Sequence, residues 1–164
     1  MRRPRKPDAA AGEADERTVR TAALALLAGR DFARAELARR LERRGYPKDV
    51  VEAVVAGLVA ERLLSETRFT ELFIRQHAGR GHGPVRIRAE LRERGVTDAD
   101  IDEALDGAAE DWAAIARDTR RRRFGAAGPA DFRERARQGR FLQYRGFTSE
   151  QIRAALGPGE DIEP

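Results

Sequence analysis

Three stretches of this 164-residue chain repeat one pattern at nearly constant spacing: RRGYPKDVVEAVV at 43–55, ERGVTDADIDEAL at 93–105 and YRGFTSEQIRAAL at 144–156. In each an Arg precedes a Gly, a hydrophobic residue follows it, and the pairs Val51 and Val55, Ile101 and Leu105, Ile152 and Leu156 stand six and ten positions beyond the Gly. A glycine after cations marks a helix end, where the chain needs a left-handed backbone and the carbonyls carry partial negative charge. Thr97 with Asp100, and Thr148 with Gln151, have the spacing of helix N-caps and their third helical residues, and Pro47 suits a first turn, which needs no N–H. Each copy therefore reads as a helix end, a tight turn and a helix start.

Apolar periodicity fills in the remainder. Val19, Ala22, Ala23, Leu26 and Leu27 form one stripe, Leu37 and Leu41 a second, and Val50, Val51, Val54, Val55, Leu58 and Val59 a third, at the spacings of one helical face. The pattern recurs at Phe69, Leu72 and Phe73, then Ile87 and Leu91, then Ile101, Ala104 and Leu105. It recurs again at Trp112, Ile115, Ala116 and Thr119, then Phe132, Ala136 and Leu142, then Ile152, Ala155 and Leu156. Period-two alternation is nowhere sustained. The fold class expected is all-α: about nine helices in three tandem three-helix repeats, at 16–64, 65–108 and 109–157. A flexible basic arm (1–15) precedes them and an acidic tail (158–164) follows. A few short helices cannot bury an apolar face alone, so the repeats are expected to stack into an elongated, curved array. The third copy departs from the others, with Gln138 where the first two place Leu37 and Ile87.

With no cysteine, neither disulfides nor thiolate metal sites are available, in keeping with a cytoplasmic protein. No apolar run approaches the roughly 20 residues of a membrane span, so no membrane partner is expected. Catalysis calls for a nucleophile with its base, paired carboxylates in a cleft, or a metal cluster, and none stands out. His77 and His82 are five apart, off a common helical face, and GRGHGP at 79–84 lacks the Lys-Ser or Lys-Thr of a phosphate loop, reading instead as a connection into a helix started by Pro84. No catalytic residue, metal or cofactor is assigned. Trp112 reads as packing, and Tyr46, Val96 and Phe147, which follow the glycines, as plugs between helices.

Charge is uneven. The chain carries +4 overall, but 117–145 holds ten Arg against Asp118, Asp131 and Glu134, a net of +7 that leaves −3 for everything else. All but two of the 32 basic residues are arginine, whose planar fork binds phosphate or carboxylate through paired hydrogen bonds. Arg120, Arg121, Arg122 and Arg123 spread roughly 300° around a helix, and Arg133, Arg137, Arg140 and Arg145 follow on the next. Together they are the expected contact with a polyanionic partner, one that holds position without reading sequence.

RAELARRLERRGYP (34–47), ERLLSETRFTELFIRQHAGRGHGPVRIRAELRERGV (61–96) and FLQYRGFTSEQI (141–152), in this order and spacing, closely resemble the RecX family, regulators of the bacterial RecA recombinase. The resemblance covers most of the chain from about residue 20 to 156. The stacked repeats are expected to form a monomer, and the resemblance implies three tandem three-helix repeats without enzymatic activity, acting in the groove of the RecA–DNA filament. There it would inhibit strand exchange, ATP hydrolysis and stimulated self-cleavage of the repressor, with weaker, sequence-independent binding to single- and double-stranded DNA. The family has no compact site signature, so the eight arginines rest on charge alone. The competing reading is a DNA-binding regulator with helix-turn-helix-like units. Against it, the last helix of the first unit carries Asp49, Glu52 and Glu61, and that of the second carries Asp98, Asp100, Asp102 and Glu103, poor surfaces to lay in a groove.

Overall fold

The computed structural model describes residues 15–158. The expected basic arm and acidic tail, save residues 15 and 158, lie outside the described part. Among the described residues there are nine helices and no strand: α1 (Glu16–Gly29), α2 (Arg34–Glu42), α3 (Lys48–Ala60), α4 (Glu66–Gly79), α5 (Pro84–Glu93), α6 (Asp98–Gly107), α7 (Trp112–Phe124), α8 (Phe132–Tyr144) and α9 (Ser149–Leu156).

The boundaries follow local chemistry. Gly45, Gly95 and Gly146 have φ of 93°, 83° and 92°, the left-handed conformation expected of them. At the first and third turns the amide after the glycine reaches back five residues, Tyr46 N–H to the Leu41 carbonyl and Phe147 N–H to that of Leu142. The glycine's own N–H bonds the carbonyl of Glu42 or Gln143, which completes Schellman motifs. Thr97 caps α6 by accepting from the Asp100 amide, and Thr148 with Gln151 forms a full capping box on α9. Pro84 is the first residue of α5, as expected, whereas Pro47 stands one step outside α3. Its ψ of 137° is extended, so it is the N-cap and not part of the first turn.

The described chain divides into two compact units, one containing the residues up to Phe69 with Arg94–Val96, the other Thr70–Glu93 with Thr97 onward. In the first, α1, α2 and α3 pack on one another around Val19, Ala23, Leu37, Leu41, Val51, Val54, Val55 and Leu58, joined by Phe32 and Leu64. Each fully buried aliphatic side chain here contributes about 1.5–3 kcal/mol. Gly95 belongs to this unit: a Cβ on it would press into the Ala35 methyl at 2.6 Å.

In the second unit α5 packs on α6, and α7, α8 and α9 pack mutually. Ile74, Ile87, Leu91 and Ile101 are fully buried, and Ala116, Leu142, Phe147 and Ala155 make a smaller cluster under Ile115, Phe141, Ile152 and Leu156. Val96 and Phe147 are buried as plugs, while Tyr46 is half-buried against the first core and Trp112 half-buried at the start of α7. The loop before α5 meets the third glycine turn backbone to backbone, with Gly83 N–H bonding the Arg145 carbonyl at 2.8 Å and Val85 N–H that of Gly146 at 3.0 Å. A Cβ on Gly83 would collide with the Gly146 carbonyl, and one on Gly146 with Arg86.

Candidate anion-binding surface

The basic segment forms α7, the loop after it, and α8. Cations suit the last turn of α7, where free carbonyls gather, and Arg121, Arg122 and Arg123 stand there exposed. Arg133 has no such reason to be where it is. It lies in the first turn of α8, at the positive end of that helix, where Asp131 as N-cap and Glu134 offset it.

Arg120 departs from the expectation of an outward contact. It lies on the same face as Ala116, only 6% exposed, and its guanidinium donates to the Ala127 carbonyl at 2.9 Å, the Ala126 carbonyl at 3.4 Å and Gln138 Oε1 at 3.2 Å. The cause is its place next to Thr119 on the inward side of α7, opposite Gln138, itself 2% exposed. Gln138 Nε2 in turn donates to Glu134 Oε1 at 2.9 Å. The odd glutamine of the third repeat is thus the partner of a buried arginine that closes the α7–α8 loop. Arg120 is a structural group, and the candidate contact residues reduce to the other seven.

Those seven are not gathered at one point. Phe124, at the end of α7, meets Phe141 of α8 edge-on with ring centroids 5.2 Å apart. The guanidinium carbons of Arg123 and Arg137 lie 5.4 and 5.2 Å from the Phe124 centroid, and that of Arg145 lies 5.6 Å from the Phe141 centroid. Attraction between cation and ring face assembles three arginines along this aromatic seam. Arg137 also pairs with Glu134 at 2.8 Å, which holds the half-buried carboxyl below its usual range, first through that hydrogen bond and next through the one from Gln138. Arg145 further reaches the Arg80 carbonyl at 3.5 Å. Arg121 and Arg122 diverge: one lines a shallow depression with Arg117 and Ala155, the other a depression with Glu110, Asp118 and Thr119.

On the outer side of α8, Arg133, Arg137, Arg140 and Tyr144 are spaced by four, three and four residues, which places them in one stripe. Tyr144 is 79% exposed and Phe132, at the start of the helix, 80%. Arginines interleaved with exposed aromatics are chemistry suited to phosphates and base faces. Charge counting missed the aromatics; the signal available was Tyr144, eleven residues beyond Arg133 in the same helical register. Sequence spacing also missed His77 and His82, whose rings the turn after α4 brings within hydrogen-bond distance.

Fold and surface together define a class of tandem helical repeat protein in which the last repeat is faced with arginine; among the described residues no helix is long and apolar enough to cross a membrane. Family models described as the first, second and third three-helix domains of RecX match residues 20–58, 65–105 and 109–156. The chain is 54% identical over 151 residues to the Regulatory protein RecX of Halorhodospira halophila, covering 92% of this chain and 93% of that one. It is 47% identical over 144 residues to the Regulatory protein RecX of Pseudomonas savastanoi pv. phaseolicola, covering 87% and 93%. The fold is that of two crystal structures: a regulatory protein RecX (TM-score 0.71, 21% identity, 85% of this chain and 70% of that one) and RecX from Lactobacillus salivarius (0.69, 20%, 84% and 92%). The chain belongs to the RecX family.

Proposed function

We propose that this protein is a non-enzymatic, cytoplasmic regulator that binds, as a monomer, in the helical groove of the RecA–DNA filament and inhibits its recombinase, ATPase and coprotease activities. The observation that carries the reading is membership of the RecX family across all three repeats, with relatives named as regulatory proteins over nearly their full length. Supporting it is the basic surface of the third repeat; in this reading Arg121, Arg122, Arg123, Arg133, Arg137, Arg140 and Arg145 are the contact with the filament and with single- or double-stranded DNA, bound more weakly and without regard to sequence. Exposed guanidiniums recognise phosphate or acidic side chains by charge and paired hydrogen bonds, without base readout.

The test is DNA-dependent ATP hydrolysis by RecA with the protein added below stoichiometry. The rate falls if the protein acts on the filament, since one bound copy then affects many subunits. An unchanged rate at equimolar protein overturns the reading, and loss of hydrolysis only when the protein coats naked DNA would favour a DNA-binding regulator.

A further inference from the structure

Both histidines of the chain meet one glutamate in a half-buried cluster that the proposed regulatory activity does not use. His77 is in the last turn of α4, His82 follows the left-handed Gly81 (φ 77°), and Glu90 is in α5. His77 Nδ1 lies 3.0 Å from His82 Nδ1 and 3.4 Å from Glu90 Oε2, and one ligand atom from each of the three residues falls within 4.8 Å of the other two. Two donors of one tetrahedral ion stand about 3.3 Å apart, because each lies about 2.0–2.1 Å from it.

The geometry points to a divalent transition-metal site, of the zinc class, formed by His77 Nδ1, His82 Nδ1 and Glu90 Oε2, with a fourth position open to water. Two imidazoles and a carboxylate are a donor set for zinc, cobalt or nickel and a poor one for magnesium or calcium, which take oxygen. In the metal-free pair one ring donates its Nδ1 proton to the other. Metal binding replaces that bond, the donating ring carrying its proton on Nε2 so that both Nδ1 lone pairs face the ion.

The surroundings prepare the ligands. Glu90 is fixed by Arg86, whose Nε donates to Oε1 at 2.8 Å and leaves Oε2 toward the histidines, the orienting contact that metal carboxylates commonly have. The His77 ring stacks on Phe73 with centroids 3.9 Å apart, which restricts its rotation. Arg86, Arg145 and His77 are the cationic groups around His82, with Glu90 opposing them. Those same arginines repel a cation while Glu90 alone supplies an opposite charge, which favours moderate and reversible affinity.

The ion would tie α4, the glycine loop and α5 at one point. That loop carries the N–H groups of Gly83 and Val85 that seat the third glycine turn, so occupancy would stiffen the seat. This site is independent of the RecA reading and stands or falls separately.

The experiment uses the untagged full chain, stripped with a chelator and titrated with Co2+ alone, then Zn2+ alone. Expected are a visible band of tetrahedral Co2+ that Zn2+ abolishes, and a thermal midpoint that rises with free metal. In His82→Gln and in the near-isosteric Glu90→Gln the affinity falls by at least about tenfold, and in the exposed control Glu150→Gln it does not change. Circular dichroism establishes that each variant is helical before titration. No cobalt band together with an unmoved midpoint overturns the proposal, as does a band that survives replacement of both histidines.

Discussion

Arg120 is a charge placed inside by a partner. Removing a buried arginine leaves Gln138 and two loop carbonyls without their donor, whereas replacing both polar groups removes the buried orphan and leaves only the carbonyls of Ala126 and Ala127, on exposed residues that water can reach. Arg120→Met and Gln138→Leu are each expected to cost about 1–3 kcal/mol in urea unfolding. The double variant, which restores to the third repeat the apolar character of Leu37 and Ile87, recovers most of that loss. Additive losses would show that the two side chains do not depend on one another. From sequence a run of four arginines looks uniform, because the choice of which one turns inward depends on a residue eighteen positions away. Gln138 at an apolar register position was the available clue.

His82 provides a second test at a single side chain. Its folded pKa is below the ordinary 6.5, with burial first and the charges of Arg86, His77 and Arg145 against protonation and Glu90 alone in favour. Between the folded value and about 6.5 the unfolded chain binds more protons, so stability rises with pH in that window and is lost as pH falls through it. In chelator-treated protein, chemical denaturation from neutral pH downward should show this loss, and His82→Gln should flatten it. An identical slope in both proteins would assign the acid sensitivity to carboxylates.

Helix ends carry most of what could be read before the fold was known. Glycine turns, threonine caps and a helix-starting Pro84 are decided within four or five residues, so Gly45, Gly95, Gly146, Thr97 and Thr148 behave as their neighbours require. The end of α3 obeys the same rules without a glycine to announce it. Arg62 takes φ of 60°, the non-glycine residue with positive φ among those described, and Leu63 N–H reaches back to the Leu58 carbonyl as in the glycine turns. An L residue is strained there by about 1–2 kcal/mol, partly offset by the greater chain entropy that glycine loses on folding. Arg62→Gly is therefore expected to stabilise the protein by about 0.5–1 kcal/mol, read as a higher denaturant midpoint. A lower midpoint would mean that the arginine side chain contributes more than its backbone strain costs. No charge count could foresee the aromatic seam, since Phe124 and Phe141 belong to different helices and meet only when α7 packs on α8.

For the protein with its partner, the expected signature of the arginine surface is salt dependence. Each phosphate contact removed lowers the slope of log affinity against log salt by about 0.7–0.9. Replacing Arg121, Arg122 and Arg123 together by Gln should weaken filament binding and ATPase inhibition and reduce that slope by up to about 2–3, leaving helicity intact. Replacing Arg39, Arg40 and Arg43 of the first repeat is the comparison. Equal losses in the two variants would distribute the contact along the chain, and no loss in the first would make the α7 arginines a solvated face. The tripartite plan itself was evident from three similar turns because each repeat restates its boundaries locally; the candidate surface was only partly so, because charge has no register until helices pack.

The backbone contact between Gly83 and Gly146 limits how such a chain can be rearranged. A repeat protein invites modular editing, in which one unit is excised, duplicated or exchanged for a relative's. Here the fit of the third repeat is encoded in two places at once, a glycine in the loop of its predecessor and a glycine in its own turn, each leaving no room for a methyl group. A transplanted third repeat has to travel with the GHGP segment that receives it, so the heritable module straddles the boundary that the helices alone suggest.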